Sequence, residues 1–434
     1  MSVTFRIEPG GVLKGRIRVP GDKSISHRAI MLGSIAEGTS RITGFLEGED
    51  AIATINALRA LGVRIEGPAQ GEVTVHGVGL RGLQAPRQPL DCGNAGTAMR
   101  LLAGLLAGQP FDCELTGDES LRSRPMKRVA EPLNAMGARI ETAEGGRPPL
   151  RIHGGRKLTG VSYRMPVASA QVKSALLLAG LYAEGHTCVT EPAPTRDHTE
   201  RMLEAFGCAV EKQGGTVCVT GGASLKATAI EVPADISSAA FFMVGAAIAP
   251  GSDLTLEGVG VNPTRTGVID ILRLMGADLQ LLNERSAGGE PVADIRVRGT
   301  ELHGVEVPRE LVPLAIDEFP VLFVAAANAK GETVVTGAEE LRVKESDRIQ
   351  VMADGLRALR VSAAPTPDGM RIHGGPYRGG EVDSRGDHRV AMAFAVAALR
   401  AGASITVLDC ANVATSFPGF VELARSTGLR ITAA

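Results

Sequence analysis

The chain has 434 residues, a formal net charge of -2 at pH 7 and 44% hydrophobic residues. This length exceeds one ordinary hydrophobic core, so we expect two domains of about 200 residues each. The balanced charge gives no support to a role in binding nucleic acid or acidic membranes. The composition is that of a folded globular protein and excludes a disordered one.

Cysteine usage and the N-terminus bear on the cellular compartment. The cysteines are Cys92, Cys113, Cys188, Cys208, Cys218 and Cys410, and none forms a C-x-x-C pair. This scatter predicts buried, reduced thiols, with no zinc site and no disulfide framework. The N-terminal residues lack the features of a signal peptide. The longest apolar run, near Ala239 to Pro250, is shorter than the roughly 20 residues that span a bilayer. We therefore expect a cytoplasmic protein without a membrane partner.

One pattern recurs six times along the chain: an apolar helical stretch, a glycine and then a β-rich stretch. The closing glycines, at intervals of roughly 70 residues, are Gly38, Gly108, Gly185, Gly251, Gly331 and Gly402. A second pattern interleaves with it, in which a glycine joins the end of an amphipathic helix to a strand. Its fifth copy carries Arg360 in place of the glycine. Each repeat therefore predicts the order strand–helix–strand–helix–strand–strand.

The first helix of each repeat is apolar on all sides, which is typical of a helix that is buried all round. The repeats therefore predict an α/β protein with buried helices and outer sheets, the reverse of the usual barrel. Three repeats end near Ile230, which divides the six into two groups. We expect the leading segment, FRIEPGGVLKGRIRV, to pair with the C-terminal half. The predicted domains are then 21–232, and 1–20 together with 233–434.

Unusual polar residues stand just before the predicted buried helices. In VPGDKSISHR, Lys23 and Arg28 flank Ser24, a candidate helix cap, and a helix start with a nearby lysine can bind an anion. DCGNAGTAMR places Asn94 and Gly96 where small residues let the backbone approach a ligand closely. Taken alone, the first motif also fits an ordinary cap with solvated charges, and the second fits an ordinary turn.

Two further motifs of the N-terminal half follow the same plan. LRSRPMKR is so rich in cations that, by itself, it also fits a solvated helix face. VASAQVKSA occupies the place in its repeat that Lys23 and Ser24 occupy in theirs, and TRDHTERM follows it. The residues singled out in these motifs are Arg122, Arg124, Lys127, Arg128, Ser169, Ala170, Gln171, Arg196, Asp197 and His198.

Three motifs of the C-terminal half also precede helices. AIDEFP places Asp317 and Glu318 before an apolar helix, where a carboxylate is usually a cap. RVKESDR and GDHRVAMAF supply Arg342, Lys344, Glu345, Asp347, Arg348, Asp387, His388 and Arg389. The fourth repeat, with ADISSAA, has no cation at the corresponding point.

If the repeats pack about a common axis, the residues at these helix starts converge. Converging Arg and Lys predict a site for one or two small polyanions, because arginine binds phosphate and carboxylate in a bidentate manner. Asp317 and Glu345 are candidates for base and acid, provided that desolvation opposes the effect of the neighbouring cations. The sequence lacks GxxxxGK(S/T) and HExxH motifs, so neither an ATP-binding P-loop nor a zinc site is predicted.

Taken together, VPGDKSISHR, CGNAGTAMR, SAQVKSALLLAGL, RVKESDR and GDHR resemble the 5-enolpyruvylshikimate-3-phosphate synthases along nearly the whole chain. The resemblance implies two inverse α/β domains, each of three βαβαββ repeats, that close over substrates in the cleft between them. It implies enolpyruvyl transfer from phosphoenolpyruvate to the 5-hydroxyl of shikimate 3-phosphate. It further implies a monomer that needs no metal or organic cofactor.

The resemblance also implies roles for single residues. Shikimate 3-phosphate would be held by Lys23, Ser24, Arg28, Ser169, Ala170, Gln171, Arg196, Asp317 and Lys344. Phosphoenolpyruvate would be surrounded by Lys23, Asn94, Gly96, Arg124, Gln171, Arg348 and Arg389. Asp317 would take the proton of the attacking 5-hydroxyl, and Glu345 with Lys23 would move protons at the methylene carbon.

The sequence departs from the family pattern in two places. Thr415 and Ser416 stand where many members carry a lysine before Thr-Phe-Pro, and Glu340 stands where some members carry asparagine. Gly96 is the small form of the position that shapes the space for an inhibitor. The resemblance therefore implies that glyphosate fits beside phosphoenolpyruvate.

Two rival functions are compatible with the predicted fold. The sister family transfers enolpyruvyl to UDP-N-acetylglucosamine, and its members typically have a cysteine in the mobile loop after the second repeat and an asparagine after the first lysine. Here that loop is GDESLRSRPMKR, and Ser24 follows Lys23. A non-catalytic anion-binding protein would lack Asp317, Glu345 or the arginines, all of which are present.

Overall fold

The structure is a computed structural model that describes residues 3–434. The α-helices of this region are α1 (Lys23–Ile35), α2 (Glu49–Ala60), α3 (Gly96–Ala107), α4 (Glu119–Ser123), α5 (Lys127–Ala135), α6 (Ala170–Gly180), α7 (His198–Ala205), α8 (Ile236–Ile248), α9 (Gly267–Leu274), α10 (Phe319–Ala327), α11 (Arg348–Ala358), α12 (His388–Ala397) and α13 (Phe420–Thr427). Short 3-10 helices span Glu144–Gly146, Arg309–Leu311, Pro313–Ala315, Glu339–Val343, Ala398–Arg400 and Ala411–Thr415. Among residues 3–434, no helix combines the length and the apolar character needed to cross a membrane.

The strands are short and are distributed over the whole chain. They are β1 (Phe5–Ile7), β2 (Lys14–Ile17), β3 (Glu37–Thr43), β4 (Arg64–Ala69), β5 (Glu72–Val78), β6 (Leu90–Asp91), β7 (Cys113–Thr116), β8 (Arg139–Ala143), β9 (Arg147–His153), β10 (Ser162–Arg164), β11 (His186–Thr190), β12 (Val210–Gln213), β13 (Thr216–Thr220), β14 (Ala229–Glu231), β15 (Asp253–Gly260), β16 (Asp278–Ala287), β17 (Glu290–Arg298), β18 (Glu332–Val335), β19 (Ser362–Thr366), β20 (Gly369–His373), β21 (Gly380–Asp383), β22 (Ile405–Leu408) and β23 (Ile431–Ala433).

Contacts between residues divide the chain into two compact units. The N-terminal unit comprises Gly21–Val232 and Ala287–Gly289. The C-terminal unit comprises the segment that ends at Pro20, together with Pro233–Ser286 and Glu290–Ala434. Each unit has its own hydrophobic core.

The N-terminal unit places three sheets around three buried helices. The sheets have the strand orders β14-β3-β5-β4, β6-β7-β9-β8 and β10-β11-β13-β12. In each sheet one edge strand is parallel to its neighbour and the remaining pairs are antiparallel. The buried helices are α1, α3 and α6, in which nearly every residue is shielded from solvent.

The C-terminal unit repeats this plan around α8, α10 and α12, and every residue of α8 and α10 is buried. Its sheets have the orders β2-β15-β17-β16, β18-β20-β19 and β21-β22-β1-β23. The N-terminal strands complete two of these sheets, because β1 lies between β22 and β23 and β2 is parallel to β15. The fifth repeat has only isolated bridges in place of a leading strand. Buried helices and outer sheets confirm the predicted inverse α/β fold.

The amphipathic helices end in the left-handed conformation that the second sequence pattern indicates. The glycines at these ends have φ of 88°, 99°, 84°, 88° and 118°; they are Gly62, Gly137, Gly207, Gly276 and Gly428. Arg360 has φ of 71°, so the fifth repeat keeps the same turn without a glycine. A left-handed conformation costs a residue with a Cβ atom more than it costs glycine.

The cysteine prediction is wrong for one pair. Cys188 and Cys218 form a disulfide, whereas Cys92, Cys113, Cys208 and Cys410 are free. The two bonded residues are direct partners in the antiparallel pair β11–β13, with Cα atoms 4.1 Å apart. Residues thirty positions apart in sequence are brought together only by strand register, which the spacing of the cysteines does not reveal.

The buried helices α3 and α6 pack with their backbones in close contact at Gly104. A Cβ atom added there would lie 2.1 Å from the carbonyl oxygen of Ala175, a backbone atom that cannot turn away. Gly33 in α1 is also a helical glycine of this unit, but an added Cβ would meet only side-chain carbons, at 3.4–3.5 Å.

We predict that Gly104→Ala lowers the free energy of unfolding by about 2–3 kcal/mol, because the helices must separate to admit the methyl group. Gly33→Ala is the matched control and should be neutral or stabilising, since alanine favours a helix by about 1 kcal/mol over glycine. Urea unfolding of both variants measures this. Equal effects of the two substitutions would contradict the proposed close contact.

A histidine is buried in the first helix. His27 is fully buried, and its Nδ1 lies 2.7 Å from Oγ1 of Thr54. Burial, followed by the charges of Lys23 and Arg28, lowers the pKa of His27 from 6.5 to about 3. The imidazole is therefore neutral in the folded chain near neutral pH, whereas the unfolded chain takes up a proton below pH 6.5.

This pKa difference predicts a loss of stability in acid. Between pH 6.5 and 3 the unfolded state binds one more proton at this site, so the free energy of unfolding falls as the pH falls. Relative to His27→Gln, the wild-type chain should lose about 1 kcal/mol between pH 7 and 5.5. Urea unfolding at both pH values tests this, because the other titrating groups affect both proteins alike. Parallel pH profiles would show that the fold does not lower the pKa of His27.

Candidate active site

The starts of the six buried helices carry the polar residues that the sequence motifs contain. Backbone N–H groups at a helix start have no partner within the helix. Four of the helices satisfy one of these groups with a side chain, from Asp22 in α1, Ser169 in α6, Asp235 in α8 and Asp387 in α12. Ser24 is not a cap, in contrast to the prediction, because Asp22 accepts from the backbone of Ile25 at 2.8 Å.

The remaining two buried helices have no side-chain cap. The residues at their N-cap positions are Ala95 in α3 and Glu318 in α10. In α3 the helix begins at Gly96, and α10 carries a proline in its first turn. Because uncapped N–H groups at a buried helix start favour an anion, the start of α3 is suited to a negatively charged ligand.

Lys23 lies at the start of α1 and forms an ion pair with Asp50 of α2, whose side chain is 3% exposed. Arg28, one turn further along α1, is also 3% exposed. Its Nε donates to Oγ1 of Thr199 at 2.7 Å and its Nη2 donates to Oγ of Ser174 at 2.9 Å. Arg28 therefore links α1 to α6 and α7.

Arg124 and Asn94 are held together beside the start of α3. Nη2 of Arg124 donates to Oδ1 of Asn94 at 2.6 Å, and Nδ2 of Asn94 donates to Asp118 at 2.7 Å. A Cβ atom at Gly96 would lie 3.1 Å from Nη1 of Arg100 and 3.2 Å from Nη1 of Arg124. Glycine at this position therefore leaves space in front of two guanidinium groups.

Arg100, which the sequence motifs did not single out, is 5% exposed and lies one turn into α3. Its Nη1 donates to Oε1 of Gln171 at 2.5 Å, and Nε2 of Gln171 donates to Oγ1 of Thr97 at 2.8 Å. The signal in the sequence was a single arginine in the otherwise apolar stretch AMRLLAG. A charge at that position in a buried helix requires a partner or a ligand.

The other predicted residues of this unit occupy different environments. Ala170 is the first residue of α6, and Arg196 is half-buried two residues before α7. Arg122 is exposed, and Lys127 is 68% exposed and pairs with Glu131 at 3.3 Å. Within LRSRPMKR, the structure therefore brings Arg124 to the start of α3 and leaves Lys127 in solvent.

In the C-terminal unit, Arg348 is fully buried among three carboxylates. Its Nε lies 2.8 Å from Asp387, its Nη2 lies 2.5 Å from Glu345 and its Nη1 lies 3.3 Å from Asp317. Burial alone would lower the pKa of Arg348, but these carboxylates raise it above its ordinary value. Burial opposes the charged form of Asp387, yet Arg348 keeps the pKa of that carboxyl below its ordinary value.

Lys344 and Arg389 lie near the same carboxylate residue. Nζ of Lys344 is 3.6 Å from Oδ1 of Asp317 and 3.7 Å from Oε1 of Glu340. Glu340, which departs from the family pattern, is thus placed beside the predicted substrate lysine. Nη1 of Arg389 donates to the backbone oxygen of Asp317 at 3.2 Å.

Two residues of the C-terminal motifs have structural partners. Nη1 of Arg342 donates to Asp347 at 2.6 Å and its Nη2 donates to the backbone oxygen of Thr366 at 2.5 Å. Oγ of Ser416, at the other departure from the family pattern, lies 3.2 Å from Nε2 of His388.

The two units present different chemistry at their helix starts. The N-terminal unit carries Lys23 and Arg28 on α1, and it places Arg100 and Arg124 beside Gly96 at the start of α3; these cations are suited to bind anions. The C-terminal unit combines carboxylates with cations, the arrangement that proton transfer requires. Among residues 3–434, no group of three or more His, Cys, Asp or Glu side chains is placed to hold a metal ion.

Comparisons with known proteins show the family to which the chain belongs. The family model described as EPSP synthase (3-phosphoshikimate 1-carboxyvinyltransferase) matches residues 7–423. The chain is 68% identical to the 3-phosphoshikimate 1-carboxyvinyltransferase of Methylococcus capsulatus, over 99% of this chain and 98% of that protein. It is also 68% identical to the enzyme of the same name from Alkalilimnicola ehrlichii, over 99% and 96% of the two chains.

A solved structure is similar over the full length. The EPSP synthase of Acinetobacter baumannii, determined at 2.37 Å, has a TM-score of 0.90 and 59% identity, and the match covers 100% of both chains. The family match and these identities far exceed what a shared fold alone produces. The chain is therefore a member of the EPSP synthase family.

Proposed function

We propose that this chain transfers the enolpyruvyl group of phosphoenolpyruvate to the 5-hydroxyl of shikimate 3-phosphate and releases phosphate. The observation that carries the proposal is the match to proteins named 3-phosphoshikimate 1-carboxyvinyltransferase over nearly the whole chain. Both substrates are anions, and the cations at the starts of α1 and α3 are the groups expected to bind them. Cytoplasmic localisation and a monomeric state remain predictions.

The reaction proceeds by addition and then elimination. Protonation of the methylene carbon of phosphoenolpyruvate makes its C2 electrophilic, and the 5-hydroxyl oxygen then forms a bond to C2 as it loses its proton. The resulting tetrahedral intermediate loses phosphate from C2 and a proton from the new methyl group, which restores the carbon–carbon double bond. No oxidant, reductant or cofactor is consumed in this sequence.

The candidate residues are assigned to these steps as follows. Asp317 accepts the proton of the 5-hydroxyl, and Glu345 with Lys23 moves protons at the methylene carbon. Arg348 touches both carboxylates and so fixes their orientation. Cations that are already in position when the reaction begins stabilise the charge of the departing phosphate, and the protein need not rearrange during the reaction.

The substrate-binding assignments follow the predicted residues. Shikimate 3-phosphate is bound by Lys23, Ser24, Arg28, Ser169, Ala170, Gln171, Arg196, Asp317 and Lys344. Phosphoenolpyruvate is bound by Lys23, Asn94, Gly96, Arg124, Gln171, Arg348 and Arg389. Arg100 joins this second group because it contacts Gln171 and borders Gly96.

The proposal predicts phosphate release when the protein is mixed with shikimate 3-phosphate and phosphoenolpyruvate in the absence of added metal. A parallel reaction replaces shikimate 3-phosphate with UDP-N-acetylglucosamine and should release none. Release only with the nucleotide sugar would assign the chain to the sister activity. Release with neither would support the non-catalytic interpretation.

The same phosphate-release assay can measure inhibition by glyphosate. Glyphosate should inhibit in competition with phosphoenolpyruvate, because Gly96 leaves space in front of Arg100 and Arg124. Absence of inhibition at millimolar glyphosate would contradict this part of the proposal.

We predict that Asp317→Asn and Glu345→Gln each lower kcat by about 100-fold or more, since a positioned acid or base contributes roughly that factor. Both substitutions keep the shape of the side chain and remove its proton chemistry. Glu131→Gln, at an exposed carboxylate that pairs with Lys127, is the control and should leave kcat unchanged. Activity within threefold of wild type in either variant would remove that residue from the mechanism.

A further inference from the structure

Glu318 occupies the N-cap position of the buried helix α10, yet its side chain makes no hydrogen bond to that helix. A carboxylate at this position ordinarily accepts from the first N–H groups of its own helix. Glu318 is only 2% exposed. The fold therefore buries a carboxylate, at considerable cost in desolvation, for a purpose other than capping.

The side chain of Glu318 instead reaches the start of the neighbouring buried helix. Its Oε1 accepts a hydrogen bond from the hydroxyl of Ser237, which lies in the first turn of α8. The same Oε1 lies 3.9 Å from Nη2 of Arg265. The same Nη2 donates to Oγ of Ser237 at 2.7 Å. Arg265 and Ser237 are 3% and 2% exposed, respectively, so the three groups form a buried, hydrogen-bonded set.

The set formed by Glu318, Ser237 and Arg265 also lies close to Arg389, a residue assigned to bind phosphoenolpyruvate. Oε1 of Glu318 lies 4.0 Å from Nη1 of Arg389, and that Nη1 also donates to the backbone oxygen of Asp317 at 3.2 Å. Two consecutive residues therefore hold one nitrogen of the Arg389 guanidinium. Its other two nitrogens make no hydrogen bond to the described part of the chain, which leaves their N–H groups for a ligand.

The fourth repeat carries an arginine before its second helix, α9. The tripeptide Pro-Thr-Arg ends at Arg196 in the third repeat and at Arg265 in the fourth, and in each case a helix begins two residues later. The two arginines are equivalent, but Arg265 is directed into the protein, toward Asp235, Ser237 and Glu318. In the fourth repeat the arginine therefore contacts buried protein side chains, Ser237 and Glu318.

We infer that Glu318, held by Ser237 and Arg265, is a positioning residue that fixes the guanidinium of Arg389 for phosphoenolpyruvate. The inference rests on the proposed function, because that function is the reason for assigning phosphoenolpyruvate to Arg389. The carboxylate acts through Arg389 and does not itself touch substrate. Arg265 and Ser237 prevent the Glu318 side chain from turning back to cap α10.

The test compares Glu318→Gln, Ser237→Ala and the double variant in steady-state kinetics. Glu318→Gln should raise KM for phosphoenolpyruvate about tenfold, because the variant lacks the negative charge that lies 4.0 Å from Nη1 of Arg389. KM for shikimate 3-phosphate and kcat should stay within threefold of wild type. Ser237→Ala should raise KM for phosphoenolpyruvate by a smaller factor. The double variant should be no worse than Glu318→Gln, because residues that act through one another are not additive.

Three results would overturn the inference. A fall in melting temperature with an unchanged KM for phosphoenolpyruvate would show a structural role only. A lower KM would show that Glu318 acts merely as a repulsive charge. Additive effects of the two substitutions would show that Ser237 and Glu318 act separately. Wild-type turnover of both substrates is measured first, so that a chain inactive from the outset counts against the proposed function and not against the role of Glu318.

Discussion

The constraint on which the structure depends is the burial of three helices at the centre of each unit. A helix surrounded by protein cannot satisfy its first N–H groups with water. Polar residues must therefore stand at the buried starts, and Asp22, Ser169, Asp235 and Asp387 supply the hydrogen bonds at four of them. Fold and candidate site thus have a common cause, since the same starts favour anions where no side chain caps them.

Charge is distributed differently at the helix starts of the two units. In the N-terminal unit, cations predominate and several are linked to neutral side chains, as Arg100 is to Gln171 and Arg28 is to Thr199. In the C-terminal unit, Arg348 lies among three carboxylates. On this basis we propose that the first unit mainly binds anions and that carboxylates of the second unit transfer protons.

The repeats, the inverse architecture and the helix-start motifs were predictable because each leaves a periodic signal in the sequence. Contacts between residues that are distant in sequence leave no such periodic signal. The disulfide between Cys188 and Cys218 depends on the register of β11 and β13, and such bonds are rare in the cytoplasm that the sequence predicts. Arg100 and Arg265 were missed because single arginines in apolar or loop segments have no periodicity. The direction of the Glu318 side chain follows from its hydrogen bond with Ser237, 81 residues away in sequence. Local sequence patterns do not predict such a contact.

The central claim is that Lys23, at the start of α1, and Arg389, at the start of α12, each act in enolpyruvyl transfer. The most direct measurement is kcat/KM for phosphoenolpyruvate in Lys23→Met, from the N-terminal unit, and Arg389→Met, from the C-terminal unit. Lys127→Met, at an exposed lysine, is the control. The account predicts a fall of about 100-fold or more for each of the first two variants and no change for the control. Activity within threefold of wild type in either Lys23→Met or Arg389→Met would contradict the claim.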